Sequence, residues 1–155
     1  MHRKKIEDVF FPTTIDNTVG LMNLIHKAVY LNNNISKDIT PERFKIGNGA
    51  RKVNLELAPF FNYETGEQAA KRLVTDGYNL EGIGELAQFT ADNPGEVEKC
   101  VWVVALSKAS RWMDSNGVVL VPFAYVRGAD RSFGLYYFRH WFRSRNRVLV
   151  SRPSK

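Results

Sequence analysis

A chain of 155 residues with 44% hydrophobic and 25% charged side chains has the composition of a folded domain with its own core, which excludes a disordered or low-complexity segment. No run approaches the ~20 consecutive apolar residues that a membrane-spanning helix needs, and a single cysteine, Cys100, excludes a disulfide framework or a thiolate metal cage. The net charge of +6 is lopsided: residues 1–121 hold 14 Lys+Arg against 15 Asp+Glu, whereas residues 122–155 hold eight cations, seven of them arginine, against Asp130 alone.

The opening stretch, "MHRKKIEDVFF", is basic and then acidic, with no apolar run or small-residue cleavage site behind it, so no signal peptide is expected and the location is left open. The expected organisation is one domain over residues 1–155, with a helix and loop portion over 1–60 and helices plus sheet over 61–155. In "TIDNTVGLMNLIHKAVYLNNN", Thr14 or Asp16 can cap a helix whose buried stripe is Leu21, Leu24, Ile25, Ala28 and Leu31, ended by Asn32 to Asn34. His26 falls near that stripe, where a hydrogen-bonded or half-exposed ring is the expectation. Gly47-Asn48-Gly49 supplies turn chemistry, and the alternation in "KVNLEL" predicts a short strand. "GNGARK" lacks the strand–loop–helix context of a phosphate loop, so it is taken as a turn.

Residues 65–93 predict two helices. Thr65 and Gln68 have capping-box spacing, Ala69, Ala70 and Leu73 form the buried face, and Gly77 suits the position after the helix. A second helix is expected from about Leu80 to Phe89, buried through Ile83, Leu86, Ala87 and Phe89, with "DNPG" as its stop. Gly82-Ile83-Gly84 sits inside that helix and so is not a dinucleotide fingerprint. From Cys100 the pattern turns extended. "CVWVVALS" predicts a strand buried on both faces, with Cys100 as a small buried hydrophobe. "DSNG" at 114–117 is a turn, "VVLVPFAYV" a strand with Pro122 marking an edge or bulge, "RGADRS" a turn, "FGLYYF" a strand and "NRVLVS" a closing strand. The fold class is α+β: N-terminal helices followed by a mostly antiparallel, turn-rich sheet.

Little here points to catalysis. His2, His26 and His140 have no metal-ligand spacing, the pairs Glu64/Glu67 and Glu81/Glu85 are expected as solvated helix surface, and no serine has a nucleophile-elbow context. No catalytic residue, metal or cofactor is expected. Attention falls instead on "SFGLYYFRHWFRSRNRVLVSR", Ser132 to Arg152, which interleaves large rings with arginines. On a strand, Phe133, Leu135 and Tyr137 face one side and Tyr136 and Phe138 the other. One reading is a core strand edged by solvated arginines. The other is a binding surface, since Tyr, Trp, Phe and Arg dominate binding hot spots.

A compositional gap bears on the choice. From Asp114 to Arg152 the chain has no Lys, Glu, Gln or Met and one Trp, Trp141. Codons of the form NNY, which arise when the adenines of an AAY codon are randomised, encode none of these five residues. The C-terminal third thus resembles the variable region of proteins diversified by diversity-generating retroelements, which carry a C-type lectin fold related to formylglycine-generating enzyme. The order of "GEQAAKRLVTDGY", "LEGIGELAQFT", "VWVVALS", "VVLVPFAYV", "RSFGLYYF" and "NRVLVSR" is similar to theirs, over roughly residues 60–152. The "GFR" common at their short final strand, which "RVLVSR" resembles, is absent, and segment 1–60 is not covered.

The resemblance implies a non-catalytic protein whose rigid scaffold displays variable side chains to a protein or other surface ligand. The exposed members of Arg127, Asp130, Arg131, Tyr136, Phe138, Arg139, His140, Phe142, Arg143, Ser144 and Asn146 would form the binding face, with Trp141 a fixed scaffold residue. The alternative is a nucleic-acid-binding protein that stacks bases on aromatic rings and pairs phosphates with arginine.

Overall fold

The computed structural model describes residues 9–153; the opening eight residues, with their signal-peptide reading and His2, lie outside them. Among the described residues, eight strands and four helices follow in the order β1 (Phe11–Asp16), α1 (Leu21–Ala28), β2 (Ala50–Pro59), α2 (Gly66–Thr75), β3 (Asn79–Leu80), α3 (Ile83–Asp92), α4 (Pro94–Cys100), β4 (Trp102–Val104), β5 (Trp112–Met113), β6 (Val119–Arg127), β7 (Asp130–Tyr137) and β8 (Arg147–Ser151). They form one open sheet in the order β1-β2-β8-β4-β6-β5, with β3 added on β8 and β7 on β6. Every pairing is antiparallel except that of β4 with β8. The class is α+β with a mostly antiparallel sheet.

The N-terminal part departs from the helix-and-loop expectation. β1 and β2 pair along Phe11↔Leu55 to Asp16↔Ala50, and β2 extends the "KVNLEL" strand at both ends. Thr14 and Asp16 therefore belong to a strand. Asp16 caps only the short turn Asn17–Val19, accepting from the Thr18 amide at 3.0 Å, and Gly20 at φ +86 leads into α1. Leu21, Leu24, Ile25 and Ala28 are buried as their spacing requires, but the helix stops there and Leu31 is exposed. His26 is half-buried, its Nδ1 lying 3.0 Å from the Val29 carbonyl.

α2 follows its sequence closely. The Gln68 amide donates to Thr65 Oγ1 at 3.1 Å, the Thr65 amide donates to Gln68 Oε1 at 2.9 Å, and Gly77 takes φ +94 past the end. α3 starts at Ile83 rather than Leu80, because Leu80 pairs with Val150 in β3. "DNPG" ends α3 and also begins a helix: Pro94 occupies the first turn of α4, where its missing N–H costs nothing. Cys100 thus closes a helix instead of opening a strand. It is buried, and that burial raises the thiol above its ordinary value, the opposite of what a thiolate nucleophile needs.

The sheet is covered on both faces, which explains the continuous apolar run in "CVWVVALS". Val103, Ala105, Leu149 and Phe133 pack with α1 and α3, whereas Val104, Leu106, Val148, Val150 and Phe138 pack with Ala69, Ala70 and Leu73 of α2. Pro122 is not at an edge: β6 has neighbours on both sides. Its carbonyl accepts from the Ala105 amide at 3.1 Å, so its ring nitrogen faces the same side, past the end of β4, where no ladder donor is required.

The chain from Phe138 to Asn146 joins β7 to β8 and lies across the start of α2. The first amides of any helix lack partners within it. Here the Gly66 amide donates to the His140 carbonyl at 3.3 Å and the Glu67 amide to the Phe138 carbonyl at 2.9 Å, while Thr65 serves the next two. Such close approach requires glycine, since a Cβ on Gly66 would sit 2.8 Å from the Phe138 carbonyl oxygen and 3.1 Å from the Phe142 ring. Gly66→Ala should therefore cost about 1–3 kcal/mol in urea unfolding. Unchanged stability would show that the segment does not rest on the helix as described.

Candidate functional site

The joining segment is held mainly through its backbone. The Phe142 amide donates to the Glu64 carbonyl at 3.2 Å, Trp141 and Thr65 form an isolated bridge, and the Phe138 amide reaches Val119 at 2.9 Å. Beyond Phe142, the buried Asn146 side chain accepts from the Arg143 amide at 3.0 Å and donates to the Cys100 carbonyl at 3.1 Å, tying the loop to the end of α4. Arg147 Nη1 adds bonds to the carbonyls of Ser144, Arg145 and Asn146. Satisfied on all these groups, the loop keeps its shape without help from the side chains of Trp141, Arg143 or Ser144, while the His140 Nδ1 lies 3.4 Å from the Trp141 carbonyl.

Beneath the segment lies a row of rings. Phe60 stacks on Phe142 at 4.6 Å, Phe142 meets Tyr136 edge-on at 5.1 Å, Tyr136 meets Trp102 at 5.1 Å, and Trp102 stacks on Phe123 at 4.1 Å. Gly134, opposite Phe123 in the ladder, gives that last ring its place: a Cβ there would come within 2.6 Å of it. Above the row runs a groove of about 630 Å³, lined by Asn62, Tyr63, Tyr136, His140, Trp141, Phe142, Arg143, Ser144 and Arg145. Tyr63 and Trp141 stand at its rim, 76% and 57% exposed, with ring centroids 5.4 Å apart. Tyr63 has φ +60, a left-handed backbone that costs a non-glycine residue of order 1 kcal/mol. His140 Nδ1 lies 3.1 Å from the Tyr136 hydroxyl.

The groove wall carries His140, Arg143 and Arg145 and no carboxylate. Arg145 also borders an adjacent hollow with Glu98, Val101, Tyr125 and Arg127, where Glu98 accepts from the Gly128 amide of the β6–β7 hairpin. The nearby acids are engaged elsewhere. Glu64, expected on the solvated surface, is buried; both its oxygens accept from Arg72, at 2.7 and 2.9 Å, and the Phe61 amide adds a third bond at 3.0 Å. Glu67 is held by Arg139 Nε at 3.1 Å. Glu81 is likewise buried, bonded to Arg51 at 2.9 Å and Ser151 at 3.3 Å, while Glu85 lies 3.4 Å from Arg51. Burial pushes the Glu81 carboxyl up, and the Glu85 charge adds to that rise against the pull of Arg51.

The eleven residues singled out from the sequence separate into distinct environments. His140, Arg143 and Ser144 are exposed at the groove, and half-buried Tyr136 forms part of its wall. Arg127 and Asp130 face each other, exposed, across the hairpin turn. Arg139 is exposed but turned toward α2 and Glu67. Arg131 lies on the opposite face with Phe133, its Nη1 3.4 Å from the Ala28 carbonyl. Phe138, Phe142 and Asn146 are buried and hold the surface up from below instead of forming it.

Asn62, Tyr63 and Arg145 line the groove without having been picked out, and the ring of Trp141 is exposed on it although its backbone is pinned. The signal for the first two was the aromatic run "FFNY" directly before the Thr65 cap. Among the described residues, no group of three or more His, Cys, Asp or Glu could hold a metal ion, and no helix is long and apolar enough to cross a membrane.

The Glu64–Arg72 pair gives a pH test of the scaffold under the groove. Burial pushes the Glu64 carboxyl up, but the Arg72 fork and the Phe61 amide outweigh it and hold it below its ordinary 4.5. A depressed folded-state value means that the stabilisation is complete above 4.5 and is lost as pH falls through the folded value. Glu64→Gln should cost about 1–3 kcal/mol at pH 7, and the gap from wild type should narrow as the pH is taken below 4.5 and through the folded-state value. A gap of the same size at both ends would contradict this role. Comparison with known protein families, curated proteins and solved structures finds no match for this chain.

Proposed function

We propose that this protein is a non-catalytic binding module that recognises a protein ligand through the aromatic, arginine-lined groove over residues 140–145 and the Asn62–Tyr63 turn. One observation carries this reading: the side chains of His140, Trp141, Arg143 and Ser144 project from a loop whose backbone bonds to α2 and which the Asn146 and Arg147 side chains tie to α4 and to its own carbonyls. Those side chains are exposed to a ligand, and exchanging Trp141, Arg143 or Ser144 leaves the scaffold bonds in place. Tyr63 and Trp141 offer rigid contact area at little entropic cost, and the arginine forks suit carboxylates and backbone carbonyls.

The likeness to retroelement-diversified proteins of C-type lectin fold gains support from the order of elements after residue 60. The helical pair, β4, β6, β7 and a short closing strand, β8, come in the order on which that likeness rests. By this reading the side chains along the groove vary between copies while Phe138, Phe142 and Asn146 stay fixed beneath. An adjacent near-copy of the 3′ end of the coding sequence, differing mainly at adenines and lying beside a reverse transcriptase, is the expected finding at the encoding locus; its absence would remove the diversification part.

A groove wall of cations without a carboxylate also favours a second reading, single-stranded nucleic acid with bases stacked on Tyr63 and Trp141. One set of measurements separates the two. Peptides selected on the protein from a random displayed library should compete for one surface and lose about tenfold or more in affinity on Trp141→Ala, with unfolding unchanged. Peptides that map to scattered sites would contradict the protein reading. Oligonucleotide binding that weakens by about one log unit per log unit of salt for each phosphate neutralised would establish the other.

A further inference from the structure

Phe138, an expected member of the binding face, is buried at the floor of a different hollow. This one, about 530 Å³, lies between α2 and the turn that carries Arg111, on the other side of the Arg139–Glu67 pair. The lid over the Phe138 ring is the Arg111 guanidinium, 4.5 Å from its centroid. Arg111 Nε donates to the Leu106 carbonyl at 3.0 Å, but its two terminal nitrogens have no acceptor among the described residues. Burial lowers its pKa against the opposing pull of the Glu67 charge, which marks a guanidinium partly removed from water. The one carboxylate at the hollow, Glu67, is taken by Arg139. Lys71 and Lys108 stand exposed at the rim with no side-chain hydrogen bond or ion pair among the described residues, and Ala70 and Val74 form an apolar flank.

We propose that this hollow is a second binding site, separate from the aromatic groove, for a small organic anion. Its carboxylate or phosphate group sits on Arg111 between Lys71 and Lys108, and its apolar body lies against the exposed Val74 side chain. A guanidinium with two outward N–H groups presents the fork that either oxyanion accepts in a paired fashion.

An NMR titration of the folded chain with benzoate, phenyl phosphate and benzamide tests the assignment. Both anions, or the one whose head group fits, should shift the Arg111 Nε–H signal and the amides of Lys71, Val74 and Phe138 along saturable curves, and the better binder names the head group. Benzamide, the same ring without charge, should leave them in place. Arg111→Lys keeps the charge but loses the fork and should weaken binding about tenfold. The double change Lys71→Glu and Lys108→Glu, at exposed positions, should weaken it at least as much and serves where the Arg111 variant does not fold. Trp141→Ala should have no effect. Shifts that are equal with benzamide, shifts that never saturate, or a double variant that binds like wild type would overturn the proposal.

Discussion

The first amides of α2 must find acceptors outside the helix, and in this protein they find the carbonyls of Phe138 and His140. That requirement fixes where the chain between β7 and β8 can run. It also fixes the residue at position 66, because the carbonyl that accepts the bond leaves no room for a side chain. Once the backbone of 138–142 is docked on the helix start, alternate side chains go to different fates. Phe142 turns down into the rings over the sheet, Phe138 into the core beside α2, and Arg139, His140 and Trp141 turn out.

Both faces of the sheet are packed, and this gives the surface its foundation. The layer of α1 and α3 buries Leu24, Ile25, Leu86 and Phe89 against one face without reference to the groove. The other face is covered by α2 and by the ring series from Phe60 to Phe123. Ring pairs of this kind contribute about 0.5–1.5 kcal/mol each beyond the area they bury. The arginine-rich composition of the C-terminal stretch has a matching division of labour. Arg147 closes the loop through three carbonyls, Arg139 pairs with Glu67, and Arg143 and Arg145 reach the groove.

Much of this was legible in the sequence where a local rule governs. The capping box at Thr65 and Gln68, the αL glycine at 77, the buried stripe of α3 and the alternation of Phe133 against Phe138 all follow from spacing within a few residues. What could not be read depends on partners distant in sequence. "FPTTID" carries a proline and little apolar alternation, so β1 is a strand because β2 pairs with it. Glu64 and Glu81 look like helix-surface acids until Arg72 and Arg51 arrive beside them. Pro94, a stop for one helix, is equally a start for the next. At the site, ring and guanidinium density located the segment, but its partition into buried and exposed members rests on Gly66 and Asn146, and nothing local announces either contact.

The central claim is that the groove's outer side chains are dispensable to the fold while the ones beneath are not. A saturation-mutagenesis scan of residues 138–146, sorted for folded protein by protease resistance, measures this directly. The account predicts broad tolerance at 140, 141, 143 and 144 and narrow tolerance at 138, 142 and 146. Equal sensitivity along the whole segment, or tolerance of polar residues at 138 and 142, would contradict it.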